Sequence, residues 1–258
     1  NESGQITGFY HSLHSPVPSG TTVIPITKDE WLAAVTSGGY TVVNGVLTPP
    51  PAPTTEQEIQ TAIYQTTKTL NNACYNFIVN NGIPVIVNGV TYTVGATPLD
   101  QSNLNSMATS VLASISQAKP WSANTSYNPG SIIEYYGNYL ITKAGGTSGS
   151  SEFTAPSEFQ VGATDGTVTW YLFGCLVALA GGGSQWFTPQ EFSSAYAQGM
   201  AYITDMRSVY HNLVNSLSTY QSVSQINDVQ WPFSNVQQAM QFVAFGGTET
   251  TSTSGASA

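Results

Sequence analysis

The chain has 258 residues and a mass of 27.3 kDa, enough for one large domain or about two to three small ones. Only 7% of its residues are charged, against roughly 25% in ordinary soluble domains. Small polar residues and glycine replace the missing charges, which is typical of secreted, fibrous or virion proteins. The net charge of -9 repels phosphate backbones, so we expect no nucleic-acid partner.

No segment has the length of a membrane span. The apolar run Leu176–Ala180 is far shorter than the roughly 20 residues that a transmembrane helix needs. The polar start Asn1–Gln5 lacks a signal-peptide pattern. The sequence therefore predicts a soluble chain without membrane insertion and without an export signal of its own.

The first 48 residues predict a small β/α segment. A short strand is expected at Thr22–Ile26, and Thr27 with Glu30 forms the capping-box pattern that begins a helix. Asn44-Gly45 between β-branched residues predicts a tight hairpin. Prolines make residues 49–55 an extended linker.

A helical domain is predicted over residues 56–119 and 173–233. Thr55 with Glu58 predicts the cap of its first helix, and Asn88-Gly89 predicts a hairpin after it. A second helix is expected from Asp100. Thr188-Pro189-Gln-Glu191 predicts the start of a long last helix. Residues 234–258 are interpreted as a low-complexity tail.

Two of these helices have apolar residues at seven-residue spacing, in a narrow stripe typical of helices that pack along an oligomer axis. The alternative is ordinary packing of helices within one chain. The predicted oligomer interface consists of Ile63, Leu70 and Phe77 in the first helix and Tyr196, Ile203, Tyr210 and Leu217 in the last long one.

Residues 120–172 form a predicted all-β insert that is rich in aromatic residues. Sugars bind by stacking on flat rings while nearby polar side chains hydrogen-bond their hydroxyls. The alternative is that the rings fill the core of a very small module. Alternation along Ile132–Tyr136 sends neighbouring side chains to opposite faces, so at least one of its two tyrosines leaves the core. Candidate glycan-binding rings are Trp121, Tyr127, Tyr135, Tyr136, Tyr139 and Trp170, with Asn124, Asn138, Glu134 and Asp165 as nearby polar residues.

Metal and catalytic sites are not predicted. Cys74 and Cys175 lie in apolar contexts, which favours buried free thiols over a disulfide, and two cysteines cannot complete a zinc site. His11 and His14 could meet around a trimer axis, but a turn without a metal explains them more simply. No catalytic residue, metal or cofactor is therefore expected.

Three segments together resemble bacteriophage tail fibres. The opening Gly8-Phe9-Tyr10, then His14, Ile24-Pro-Ile-Thr27 and Glu30-Trp31, is similar to the start of many tail-fibre and fibre-assembly proteins. The Val87–Tyr92 hairpin, Trp186-Phe-Thr188 and Ile226–Pro232 resemble a domain common at fibre ends. The aromatic insert, with Trp121–Gly130, Gly137-Asn-Tyr139 and Asp165–Trp170, resembles modules of phage fibres and of carbohydrate-binding domains of chitinases.

The resemblance implies a homotrimeric structural protein of a phage or tailocin virion that attaches to a host surface polysaccharide and contacts other tail or baseplate proteins. Glu134, Glu152, Glu158 and Asp165 form no recognisable catalytic motif, so we expect a non-enzymatic role. Alternatives are a tail-fibre assembly chaperone, which shares the opening motif, and a small polysaccharide depolymerase. We expect an α+β fold: a helical body with β-hairpins, an N-terminal β/α segment and an inserted all-β module.

Overall fold

The computed structural model of the chain describes residues 5–11 and 14–244. Its contacts divide the chain into two compact units, Asn1–Gln60 and Thr61–Ala258, with the boundary inside the second helix. Helices and small, mostly antiparallel sheets make up both units, so the expected α+β class is confirmed. The trimeric state stays a prediction. Helices long and apolar enough to cross a membrane are absent from the described ranges.

The first unit contains helix α1, Lys28–Ser37, and a hairpin of strands β1, Thr41–Val43, and β2, Val46–Thr48. The capping box before α1 is confirmed, because the Thr27 hydroxyl accepts from the Glu30 N–H and the Glu30 carboxylate accepts from the Thr27 N–H. The strand expected at Thr22–Ile26 does not form; Pro25 has no N–H to donate to a neighbouring strand.

This unit exposes much of its apolar surface. Among its described residues the only buried hydrophobic side chain is that of Ala34. Large apolar side chains of α1 and of the segments around it face solvent instead: Phe9, Tyr10, Trp31, Leu32, Val35, Val43 and Val46. The unit therefore has little hydrophobic core within the chain.

Helix α2, Thr55–Asn81, begins one residue before the predicted position. Thr54 is the cap: its N–H donates to Gln57 Oε1 at 2.8 Å, and its hydroxyl accepts from the Gln57 N–H at 3.3 Å. The prediction of Thr55 with Glu58 was wrong because two overlapping Thr-x-x-Gln/Glu patterns occur here, and the helix extends to the one next to Pro53.

Strands β3, Ile83–Val87, and β4, Val90–Val94, form the predicted second hairpin. Its turn, Asn88-Gly89, has φ of 51° and 78°, the left-handed geometry that Asn and Gly tolerate best. Helix α3, Pro98–Gln117, follows and starts two residues before the expected Asp100, since Thr97 caps it.

The β module, residues 119–172, contains seven short strands: β5 Lys119–Pro120, β6 Ser126–Tyr127, β7 Ile132–Tyr135, β8 Asn138–Thr142, β9 Gly146–Thr147, β10 Ala163–Asp165 and β11 Val168–Leu172. Its main sheet has the order β10-β11-β8-β7-β5, and only the pair β5 and β7 is parallel. One cross-strand row joins Lys119, Ile133, Leu140 and Leu172. A separate core lies on one face of this sheet: Ile133, Tyr135, Leu140, Val168 and Trp170.

After the β module, strands β12, Cys175–Ala178, and β13, Ser184–Phe187, pair and lead into helix α4, Pro189–Leu217. The predicted capping box of Thr188 and Glu191 is confirmed. Two short helices follow, α5, Val223–Asn227, and α6, Val236–Ala244.

Helix α6 corrects the interpretation of residues 234–258 as a tail. Ala239 is fully buried, and Val243 packs against the main core. The sequence has apolar residues at helical spacing here, at Val236, Ala239, Met240 and Val243. The prediction grouped them with the low-complexity sequence that follows. Residues 245–258 lie outside the described part of the chain.

The helix–hairpin region, residues 61–117 and 175–244, has the larger core. Strand β3 packs on α4, and the side-chain amide of Gln198 fixes the contact by bonding the N–H and the C=O of Ile86, each at 2.9 Å. Cys74 and Cys175 lie in this core as free thiols, as the sequence predicted. Burial raises the pKa of both thiols, that of Cys175 to about 11.

Candidate functional site

The turn between β7 and β8 has an unusual residue. Tyr136-Gly137 forms it, one residue earlier than the predicted Gly137-Asn138, with φ of 48° and 78°. Asn44-Gly45 and Asn88-Gly89 have nearly the same angles, and both place Asn in the first position. A bulky L-residue is strained in the left-handed region, whereas Asn is not. The third turn therefore carries a tyrosine where the other two have the favoured residue.

The Tyr136 ring stands in solvent but is held in place. The residue is 70% exposed, and its hydroxyl donates a hydrogen bond to Glu152 Oε1. The Tyr135 ring contacts it edge to face at a centroid distance of 4.8 Å. The hydrogen bond to Glu152 raises the pKa of the Tyr136 hydroxyl, so the ring stays neutral well above physiological pH.

Other polar groups tie down the same turn. The Glu134 carboxylate accepts from the Gly137 N–H at 3.0 Å, and the Asn138 side chain donates to the Tyr136 carbonyl at 3.4 Å. Gln190, in the first turn of α4, donates to the Gly137 carbonyl at 3.4 Å. The Tyr136 ring is therefore exposed but fixed, and two carboxylates accept hydrogen bonds at this turn: Glu152 from the Tyr136 hydroxyl and Glu134 from the Gly137 N–H.

Four of the six predicted glycan-binding rings lie in the module core or pack against it. Trp170 is fully buried, and Tyr135 is buried with its ring stacked on Phe153 at 4.5 Å. Trp121 and Tyr127 are half-buried and pack against the same cluster. A module of this size needs large rings for its core, so the predicted ligand role is wrong for the buried Trp170 and Tyr135, whereas for Trp121 and Tyr127 it stays a prediction.

Asp165 joins these rings into one network. It is 3% exposed, and its Oδ2 accepts from the indole N–H of Trp121 at 2.8 Å and of Trp170 at 3.1 Å. Its Oδ1 accepts from the Gly149 N–H at 2.7 Å. Both oxygens are engaged inside the module, so Asp165 is not available to sugar hydroxyls as the sequence had suggested.

Tyr139 lies on the outer face of the sheet, opposite the module core. It is half-buried and pairs across the strands with Glu134. On the same face Lys143 Nζ lies 4.3 Å from the centroid of the Tyr171 ring. Tyr139 therefore keeps part of its surface for a ligand, next to the Tyr136 turn.

The seven predicted interface residues take two kinds of position. Leu70, Phe77 and Leu217 are buried inside their own chain. They have no surface to offer a partner, so the interface prediction is corrected for them in favour of packing within the chain. Ile63, Tyr196, Ile203 and Tyr210 are half-buried, and for them an oligomer contact stays a prediction.

An apolar groove with a volume of about 140 Å³ lies beside helix α4, and we call it the α4 groove. Val85, Leu104, Val177, Phe192 and Ile203 contribute to its walls, and Gln101, Asn105 and Arg207 contribute polar groups. The Tyr196 hydroxyl, also in the lining, donates to Asn105 Oδ1 at 2.7 Å.

The described residues contain no cluster of metal-ligating side chains. Within residues 5–11 and 14–244, no group of three or more His, Cys, Asp or Glu side chains could hold an ion. The rings of His11 and His14 stack at 4.8 Å.

Comparison with family models, curated proteins and solved structures returns no match for this chain. The resemblance to tail fibres thus rests on the sequence motifs. Sequence reasoning missed Glu152 as a partner of Tyr136, since the two lie 16 residues apart with no motif between them. It could have identified the strained tyrosine, because Gly137 directly after Tyr136 fits the second position of a two-residue turn.

Proposed function

We propose that this chain is a structural attachment protein of the phage or tailocin tail-fibre kind, which binds a neutral cell-surface polysaccharide at the β7–β8 turn. One observation carries the proposal: Tyr136 is a left-handed tyrosine with its ring 70% exposed. The other two turns of this geometry have Asn at the same position. The turn itself therefore does not require tyrosine, since Asn adopts this geometry without strain.

The strained backbone at Tyr136 is not offset by burial of its side chain. An L-residue in the left-handed region costs roughly 1–2 kcal/mol, and an exposed ring recovers little of this through burial. Backbone strain of this kind concentrates at functional sites. A ligand that stacks on the ring would explain why tyrosine occupies the position.

Fixation of the ring favours binding. Glu152 and Tyr135 hold it, so a sugar that stacks on it orders few additional torsions. The carboxylates of Glu134 and Glu152 can accept hydrogen bonds from sugar hydroxyls, and they would repel an acidic glycan. The preferred ligand is therefore an uncharged polysaccharide.

The exposed apolar side chains of the first unit support the structural part of the proposal. A surface with Trp31, Leu32 and Val35 all exposed is typical of a segment that packs on another protein. Other tail or baseplate proteins and further copies of this chain, in a homotrimer on the virion, are the partners that we propose. Several copies would turn weak single contacts into useful avidity.

The test is binding of the purified chain to an array of bacterial surface polysaccharides. Tyr136→Asn removes the ring and gives the turn a better-suited residue, so the fold is retained. The matched control is Tyr64→Asn, which removes a tyrosine of similar exposure, 66%, from α2. We expect the wild type and the control to bind a neutral polysaccharide and Tyr136→Asn to bind about tenfold more weakly.

Equal binding by Tyr136→Asn and the wild type would contradict the proposed site. Release of reducing sugar from the bound polysaccharide would favour the depolymerase instead. Absence of the chain from purified virions would favour the assembly chaperone.

A further inference from the structure

The α4 groove is a second concave site that the proposed glycan contact does not use. Its volume of about 140 Å³ is close to that of an engineered protein cavity of about 150 Å³ that binds benzene. Its walls are formed by aliphatic and aromatic side chains of the helix–hairpin region. Such a cavity favours an apolar ligand over water.

The groove lies against one face of α4. Its lining includes Phe192, Tyr196, Gly199, Ile203 and Arg207, which recur at helical spacing along α4. The fifteen residue steps from Phe192 to Arg207 correspond to about 22 Å of helix. A ligand that lies along α4 can contact several of these residues.

One end of the groove carries a positive charge. Arg207 is the only arginine in a chain that has five basic residues and a net charge of -9. Its guanidinium has no ion pair or hydrogen bond among the described residues. Gln101 Nε2 donates to the carbonyl of Ala96, and Asn105 Oδ1 accepts from the hydroxyl of Tyr196. Arg207 is thus the one charged side chain of the lining, and its guanidinium selects a carboxylate.

We propose that the α4 groove binds an amphipathic monocarboxylate, a short- to medium-chain fatty acid, with its tail along α4 and its carboxylate on Arg207. The apolar walls favour the tail, and the unpartnered guanidinium favours the anionic head. This inference does not depend on the glycan proposal, but it competes with the oligomer contact predicted for Tyr196 and Ile203, because both residues line the groove.

Octanoate is the probe, and octan-1-ol is its uncharged counterpart. Binding to the full chain is measured by calorimetry and by changes in amide NMR shifts, which also report whether each variant is folded. Arg207→Gln removes the charge, and Lys68→Gln, on α2 and outside the groove, is the matched control. Met200→Trp places a large ring at an exposed position of the lining and obstructs the groove.

We expect octanoate to shift the amides of groove residues. Arg207→Gln should weaken octanoate binding about tenfold, leave octan-1-ol binding unchanged, and remove the salt dependence that Lys68→Gln retains. Met200→Trp should weaken both ligands. The proposal is overturned if octanoate does not bind, if folded Met200→Trp binds it as the wild type does, or if Arg207→Gln affects both ligands equally.

Discussion

The β module and the helix–hairpin region stabilise their interiors in different ways. The module buries few side chains, and its two tryptophans share the carboxylate of Asp165. The helix–hairpin region buries many more, mostly aliphatic, and leaves the Tyr202 hydroxyl buried without a hydrogen-bond partner. A small module depends on a complete polar network, whereas a large core tolerates an unpaired polar atom.

The two regions also differ in their hairpin turns. Asn88 suits its turn, and its side chain donates to Glu191 Oε1 at 2.6 Å, which ties the hairpin to the start of α4. Tyr136 strains an equivalent turn and directs its ring to solvent. The first turn contributes to the fold, whereas the second is the site at which we propose that a ligand binds.

The largest effect is expected from Asp165→Ala. Three N–H donors, those of Trp121, Trp170 and Gly149, lose their acceptor, which should lower the free energy of unfolding of the module by about 3–5 kcal/mol. Urea titration monitored by tryptophan fluorescence measures the loss. Asp165→Asn keeps one acceptor oxygen and should lose less; a wild-type midpoint for Asp165→Ala would show that the network is dispensable.

Leu70→Ala tests a buried position of helix α2 in the same way. Leu70 is 1% exposed, so its truncation should cost about 3 kcal/mol through lost burial and a cavity. Because Leu70 is buried within its own chain, the loss should not vary with protein concentration. A loss that grows on dilution would place Leu70 in an oligomer interface instead.

Tyr202→Phe should stabilise the protein by about 1 kcal/mol, since it removes the buried hydroxyl that has no partner. Burial raises the pKa of Tyr202 to about 12, from an ordinary 10.0. Above pH 10 the unfolded chain loses this proton first, so wild-type stability should fall between about pH 10 and 12. Chemical denaturation across this range should show a smaller fall in Tyr202→Phe, and an equal fall would contradict the assignment.

The smallest effect on stability is expected from Tyr136→Asn. Asn adopts the left-handed backbone without the strain that tyrosine has there, so the free energy of unfolding should rise by about 0.5 kcal/mol even though the hydrogen bond to Glu152 is lost. Urea titration beside the wild type measures the difference. A loss of 1 kcal/mol or more would show that the ring supports the fold, and would remove the reason to assign it to a ligand.

Local features of the fold could be predicted from sequence. The caps at Thr27 and Thr188 and the turns at Asn44-Gly45 and Asn88-Gly89 depend on residues within four positions of one another, and all are confirmed. Where two caps overlapped, at Thr54 and Thr55, the pattern alone could not choose between them.

The roles of the aromatic rings could not be predicted in the same way. Alternation predicts opposite sides for Tyr135 and Tyr136, but strand β7 ends at Tyr135 and Tyr136 lies in the turn, and only the assembled sheet determines which face is the core. Asp165 bonds Trp121 across 44 positions of sequence, a pairing that no local pattern encodes. Seven-residue spacing likewise could not distinguish packing within one chain from packing between chains.

The cross-strand row of Lys119, Ile133, Leu140 and Leu172 has a consequence for how such chains can be recombined. The polypeptide enters the β module at Lys119 and leaves it at Leu172, at the two ends of a row four strands wide. Three strand spacings separate these ends by about 14 Å, which a bridge of about five residues can span. The strand pairing therefore provides one junction at which the module can be excised or exchanged for another while the helical body is retained.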